Sequence, residues 1–228
     1  MPFYSFPTYA DHKGLTIHNA YHPLVAEPTG NDFDFVKNIL LTGSNASGKS
    51  TFIKTIALNV ILSQALNTST STKIILTRGL VYSSMAMSDD IEKGQCYFLS
   101  EISALKRIFE IRNDSPDTFM YLFFDEIFKG TNTIERIAAA ESVLTDLHHK
   151  RETRIMAATH DLELTDSLSP HYENHHFREQ IIQDEIIFDY LIKAGPSKTK
   201  NAIELLRIMN FPEQVYKEAL LRSREHVN

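Results

Sequence analysis

Residues 38–58 read Asn38-Ile39-Leu40-Leu41-Thr42-Gly43-Ser44-Asn45-Ala46-Ser47-Gly48-Lys49-Ser50-Thr51-Phe52-Ile53-Lys54-Thr55-Ile56-Ala57-Leu58, and they divide into three parts. The apolar run 38–42 predicts a buried strand. Residues 43–50 have the spacing G-x-x-x-x-G-K-[ST]. Beyond them Phe52, Ile56, Val60 and Leu66 fall near one face of a helix over 49–66. Strand, tight loop and helix N-terminus, in that order, are what a phosphate cradle requires. Glycine lets the backbone wrap closely around the anion, and the loop amides and helix dipole then face it. The expected nucleotide-binding residues are therefore Gly43, Ser44, Asn45, Ala46, Ser47, Gly48, Lys49, Ser50 and Thr51. Lys49 would reach the β- and γ-phosphates, and the Ser50 hydroxyl would ligate Mg²⁺.

Strands and helices alternate outward from this loop. Four prolines (Pro2, Pro7, Pro23 and Pro28) break residues 1–37 into short strands and turns. Residues 73–76 and 79–85 predict strands. Residues 100–112 predict a helix with Ile102, Leu105, Ile108 and Phe109 on one face. Residues 120–124 are continuously apolar, as suits a strand covered on both faces. A helix is expected over 134–147, a strand over 154–158, further strands near 175–178 and 185–191, and closing helices over 199–209 and 212–223. The alternation predicts an α/β fold, a sheet flanked by helices. The division expected is a domain over 1–195, with a strand-rich lead-in, and a small helical unit over 196–228.

Asp125-Glu126 ends the apolar run 120–124. Strand carboxyl ends form the ligand crevice of such sheets. There Asp125 would hold Mg²⁺ with Ser50, and Glu126 would orient and polarise the attacking water. His160 ends the run 154–158 and could reach the γ-phosphate or that water. Glu126, His160 and Lys49 are thus the catalytic candidates, and Ser50 and Asp125 the metal candidates. Gly130 permits a tight turn, and Thr133 can cap a helix starting near Ile134. His148, His149, His171, His175 and His176 read as polar surface, because metal binding needs converging ligands with second-shell support.

The chain has 228 residues and 43% apolar content, enough for one large α/β domain. Its net charge of −6 and the lack of a basic run argue against direct duplex-DNA binding as its main task. Cys96 is the only cysteine, so no internal disulfide can form, and a reducing, cytoplasmic setting is expected. No apolar run approaches the roughly 20 residues of a membrane span.

Several stretches together resemble the ATPase domain of the MutS family, the mismatch-repair branch of the ABC-type ATPases. They are His22-Pro23-Leu24-Val25, the loop Thr42–Thr51, Ser88-Asp89-Asp90-Ile91-Glu92-Lys93-Gly94, Phe98 with Glu101, Asp125 through Thr133, and Ala158 through Thr165; the tail from Gly195 through Pro212-Glu213-Gln214-Val215 resembles the family's closing helical unit. The resemblance implies an ABC-type P-loop fold with a mixed sheet, and ATP hydrolysis with Mg²⁺. It implies a head-to-tail dimer, of two copies or with a related subunit. In that dimer Ser88, Asp89, Gly94 and Cys96 form the signature segment, and Asn45, Thr131 and Asn132 approach the γ-phosphate side. It implies that DNA is handled through other domains, whose conformation hydrolysis drives. A nucleotide-dependent dimerisation switch with little turnover, or a non-repair role, is the alternative. It is motivated by Cys96, which stands where the family has a serine, since a thiol donates a hydrogen bond more weakly. Phe33 and Phe35 are the candidates for the adenine-stacking aromatic. A transporter subunit would carry a Leu-Ser-Gly-Gly-Gln-like signature, which this chain lacks.

Overall fold

The computed structural model describes residues 3–11, 13–44, 46–85, 97–150, 152–182, 185–197 and 202–225. In chain order they form β1 (Thr8–Tyr9), β2 (Leu15–Ala20), β3 (Asn31–Phe35), β4 (Asn38–Thr42), α1 (Lys49–Leu66), β5 (Lys73–Leu76), β6 (Leu80–Ser84), α2 (Tyr97–Asp114) and β7 (Met120–Asp125). There follow α3 (Thr133–His148), β8 (Thr153–Ala158), α4 (Glu163–Ser167), β9 (Tyr172–His176), β10 (Glu179–Ile182), β11 (Glu185–Phe188), β12 (Lys193–Ala194), α5 (Ala202–Ile208) and α6 (Glu213–Glu225).

The central sheet has the order β12-β9-β4-β8-β7-β6. Its strands are parallel except for β12, which pairs antiparallel with β9. Every residue of β4, and every residue of β7 up to Phe124, is buried. The period of two then divides them between two cores. Ile39, Leu41, Tyr121, Phe123, Met156 and Ala158 face a core shared with Phe52, Ile53, Ile56 and Val60 of α1 and with β2, β3 and β5. Leu40, Met120, Leu122, Phe124, Ile155 and Ala157 face the other core, with Leu105 and Ile108 of α2 and Leu144 and Leu147 of α3. Each fully buried large side chain contributes about 1.5–3 kcal/mol, so a sheet apolar on both faces is stable only with both faces covered.

The strand β4, helix α1 and strand β5 lie where the sequence predicts them. The apolar stripe of α1 ends earlier than expected: Leu66 is exposed, because the helix outruns the sheet, and Asn67 closes it with a left-handed turn (φ 51°). A second sheet, β1-β5-β2-β3, mostly antiparallel, covers the α1 side. The hairpin β10–β11 stands apart from both sheets. Helices α5 and α6 pack on each other.

Candidate functional site

The loop 43–50 leaves the carboxyl end of β4 and enters α1. Gly43 (φ 137°) and Gly48 (φ 111°) both lie where L side chains are strained. A Cβ on Gly43 would meet the Phe177 carbonyl oxygen at 2.6 Å, so the backbone approach there requires glycine. Gly48 gives α1 no side-chain cap, and the helix has no acidic residue in its first turn. Its first amides therefore lack a side-chain acceptor and keep their affinity for an anion. Lys49 is buried, and its Nζ donates to the carbonyls of Gly43 (2.7 Å) and Ser44 (2.9 Å). Burial lowers the Lys49 ammonium below its ordinary value, while Glu126, Asp125 and Glu179 oppose that shift. The Ser44 hydroxyl donates to Glu179 at 2.7 Å, which fastens the loop to β10.

The carboxyl ends of three adjacent strands converge here. Leu41 and Asp125 both stand opposite Ala158, and the amides of Glu126 and Thr159 donate to Ala158 and Leu41. Asp125 Oδ1 is buried without a hydrogen-bond partner. An orphaned carboxylate oxygen at the carboxyl end of β7 suits a hard divalent cation. Glu126 departs from the strand with φ 61°, and Phe128 repeats that angle; each such residue costs about 1–3 kcal/mol. The Glu126 carboxylate spans two partners, His160 Nε2 at 2.6 Å and Lys129 Nζ at 2.7 Å. Burial alone would raise its carboxyl, but Lys129 and His160 outweigh burial and hold it below its ordinary value. Next to His160, Asp161 accepts two hydrogen bonds from Arg136 of α3, at 2.8 and 2.6 Å. That fork fixes the 159–161 turn against the helix.

A cavity of about 400 Å³ joins these parts. Ser44, Ala46, Gly48, Lys49, Ser50, Thr51 and Glu126 line it, together with His22, Val25, Pro28 and Tyr190. His160 lies behind Glu126 in a smaller adjoining hollow with Arg136 and Lys129.

Some expectations change. Phe33 and Phe35 are buried and do not line the cavity: Phe33 packs edge-on against Phe52 (5.1 Å), and Phe35 packs against Tyr121 and Phe123. Of the aromatic residues that line the cavity, Phe52 and Phe177 are buried and Tyr190 is exposed; the place of Tyr190 in a loop after β11 carries no local signal in the sequence. Helix α3 begins one residue earlier than expected, and Asn132, not Thr133, caps it by accepting the Glu135 amide at 3.0 Å. Thr131 donates to Glu135 in the same turn, and neither Thr131 nor Asn132 lines the cavity. Asn45, Ser88, Asp89, Gly94 and Cys96 lie outside the described residues. His148, His149 and His171 pack ring to ring beside Asn38, at the start of β4 and away from the loop. Among the described residues no group of histidines and acids is arranged to hold a metal by itself, and no helix is long and apolar enough to cross a membrane.

Comparison with known proteins places this geometry in a family. The model of MutS domain V matches residues 39–225. Proteins named DNA mismatch repair protein MutS align with nearly the whole chain. The one from Streptococcus suis is 27% identical over 93% of this chain and 26% of its own length. Those from Natronomonas pharaonis and Streptococcus uberis are 29% and 30% identical over 95% of this chain and 26% of theirs. The chain thus spans about a quarter of the length of these relatives. Since the family model covers most of the chain, from β4 into α6, the protein belongs to the MutS family through its domain V.

Proposed function

We propose that this chain binds and hydrolyses ATP as a P-loop ATPase domain of the ABC type within a MutS-like protein. One observation carries the reading: the uncapped N-terminus of α1, Lys49 and Glu126 open onto a single cavity, with an orphaned Asp125 oxygen at the adjoining strand end. The loop amides and Lys49 bind the phosphates. Ser50 and Asp125 would hold Mg²⁺, which supplies charge neutralisation at the β- and γ-oxygens when bound. Glu126 accepts a proton from, and orients, the attacking water. His160, bonded to Glu126 at 2.6 Å, fixes that carboxylate's direction from the adjoining hollow. Tyr190 offers a ring face to the base.

The resemblance to the MutS family extends the proposal. Residues 1–195 form the nucleotide domain, and 196–228 form a helical unit at a subunit contact. Two such domains, identical or related, associate head to tail, and their nucleotide state sets the conformation of DNA-handling domains elsewhere in the protein.

The test is paired. Lys49→Ala should abolish ATP-dependent thermal stabilisation. Glu126→Gln should keep Mg-ATP binding and lower single-turnover cleavage on the order of 10²–10³-fold, the scale of a lost catalytic group. Unchanged cleavage in Glu126→Gln would remove Glu126 from its role. Binding and dimer formation with negligible wild-type turnover would favour the dimerisation switch.

A further inference from the structure

Glu101 sits in the second turn of α2 with 5% of its surface exposed. Its Oε1 accepts the backbone N–H of Phe128 at 2.5 Å, and its Oε2 is buried without a partner. A carboxyl placed in an apolar core with half its capacity unused costs stability. The group it grips lies in the turn Asp125-Glu126-Ile127-Phe128-Lys129. In that turn Glu126 and Phe128 are both left-handed at φ 61°. Such residues persist only where their surroundings over-determine them. The side chains of Ile127 and Phe128 are seated in the same core as Leu105 and Ile108 of α2. Core packing therefore anchors the turn's side chains, and Glu101 anchors its backbone. Burial raises the Glu101 carboxyl above its ordinary range, opposed by the Phe128 N–H.

We propose that Glu101 is a positioning residue: by pinning the Phe128 amide it holds Glu126 in the left-handed conformation that directs its carboxylate to His160 and the cavity. The proposal rests on the reading of Glu126 as the residue that orients the attacking water. Glu101 does not line the nucleotide cavity, so it acts only through the turn. Releasing the pin lets Glu126 relax towards ordinary backbone angles and swings its carboxylate away. A displacement of about 1 Å is enough to cost on the order of 10²-fold in rate.

Glu101→Gln and Glu101→Leu separate the possibilities. Glutamine keeps an oxygen for the Phe128 amide and matches the shape of a protonated carboxyl. Leucine keeps much of the bulk and removes the acceptor. Three quantities are read: hydrogen exchange at the Phe128 amide, Mg-ATP affinity and single-turnover cleavage. In Glu101→Leu the amide should exchange about tenfold faster, as befits one lost hydrogen bond. Its cleavage should slow about 100-fold while affinity stays within about threefold of wild type. Glu101→Gln should stay near wild type in all three. A merely structural role would shift affinity together with rate and would leave glutamine no special power of rescue. The proposal is overturned if the Phe128 amide stays protected in Glu101→Leu, or if that variant cleaves at the wild-type rate. If wild type and Glu126→Gln cleave alike, the reading of Glu126 fails and the catalytic part of this proposal falls with it. Exchange at Phe128 then reports separately on the pin.

Discussion

Lys49 already bears the desolvation that a phosphate would demand of it. Its ammonium is buried against its own loop's carbonyls; burial lowers its pKa, and three carboxylates oppose that shift. Exchanging neutral carbonyl acceptors for phosphate oxygens replaces ordinary hydrogen bonds by charge-assisted ones, which are roughly twice as strong. The same preparation is visible at Tyr190. Its ring lies beside Gly48, where an added Cβ would meet it at 3.2 Å, and it stacks on Phe188 at 5.7 Å. Asn31 clamps its backbone from both sides, donating to the Tyr190 carbonyl (3.0 Å) and accepting the Ile192 amide (2.9 Å). A ring held in place loses little freedom when a base stacks on it. Tyr190→Ala should weaken ATP binding about 5- to 30-fold, the scale of one base–aromatic stack, and Tyr190→Phe should not. Titration with inorganic tripolyphosphate supplies the control, since it has no base and should bind all three proteins alike. Equal loss of tripolyphosphate affinity would mean that Tyr190 supports the loop instead of the base.

At the scale of elements, α1 shows why part of this site was legible in the sequence. Its loop is a local pattern, and its strand and helix are set by apolar runs that bury on contact with any sheet. β7 and β8 read clearly for the same reason. β9 did not: Tyr172-Glu173-Asn174-His175-His176 has one large apolar residue, and its extent is set by pairing with β4, Asn38 opposite Tyr172 through Thr42 opposite His176. Only the neighbouring strand specifies such a boundary, so the expected strand near 175–178 starts three residues late. The strand expected over 185–191 is β11, which ends at Phe188, whereas its hairpin partner β10 and the two-residue edge strand β12, paired with β9, were not expected. Glu101 was singled out as part of a stretch, but its partner is a backbone amide 27 residues away, which no side-chain pattern announces. Asn59 of α1 belongs to this class too. It is fully buried; its Nδ2 donates to Thr55 O and Thr70 Oγ1, and its Oδ1 accepts from Ser69 Oγ and the Thr70 amide. The network ties the middle of α1 to the turn before β5. Asn59→Ala strands several buried polar groups and should cost about 2–4 kcal/mol, read as a lower urea midpoint. A loss below about 0.5 kcal/mol, the size of an ordinary surface substitution, would mean that water replaces the network.

For the molecule as a whole, two cores must fold together around one sheet, and the second sheet must stay docked for the cavity to keep its far wall. His22, Val25 and Pro28 of that wall belong to the connection between β2 and β3. One buried hydroxyl joins the two sheets directly. Tyr121 of β7 is fully buried, and its hydroxyl lies 2.8 Å from both the Gly14 and Thr77 carbonyls, at the mouth of β2 and the end of β5. Burial, the largest influence, raises the phenol well above its ordinary value, which favours the protonated, donating form. It has one proton for two acceptors, and Gly14 O also accepts the Thr77 amide, so removing the hydroxyl deprives the carbonyls only in part. Tyr121→Phe should therefore cost about 1 kcal/mol, the net worth of one intramolecular hydrogen bond. Its ring contacts with Phe35 and Phe119 should persist. Tyr121 is the second residue of β7 and Asp125 the last, which separates the pin from the metal candidate by about 13 Å along the strand at 3.3 Å per residue. Stability and nucleotide affinity should then part company. Urea unfolding should remain one transition with an unchanged slope and a lower midpoint, while Mg-ATP binding by the folded protein stays at the wild-type level. Splitting of the transition in Tyr121→Phe would instead mean that the second sheet is a separable unit whose docking on the central sheet depends on this hydroxyl.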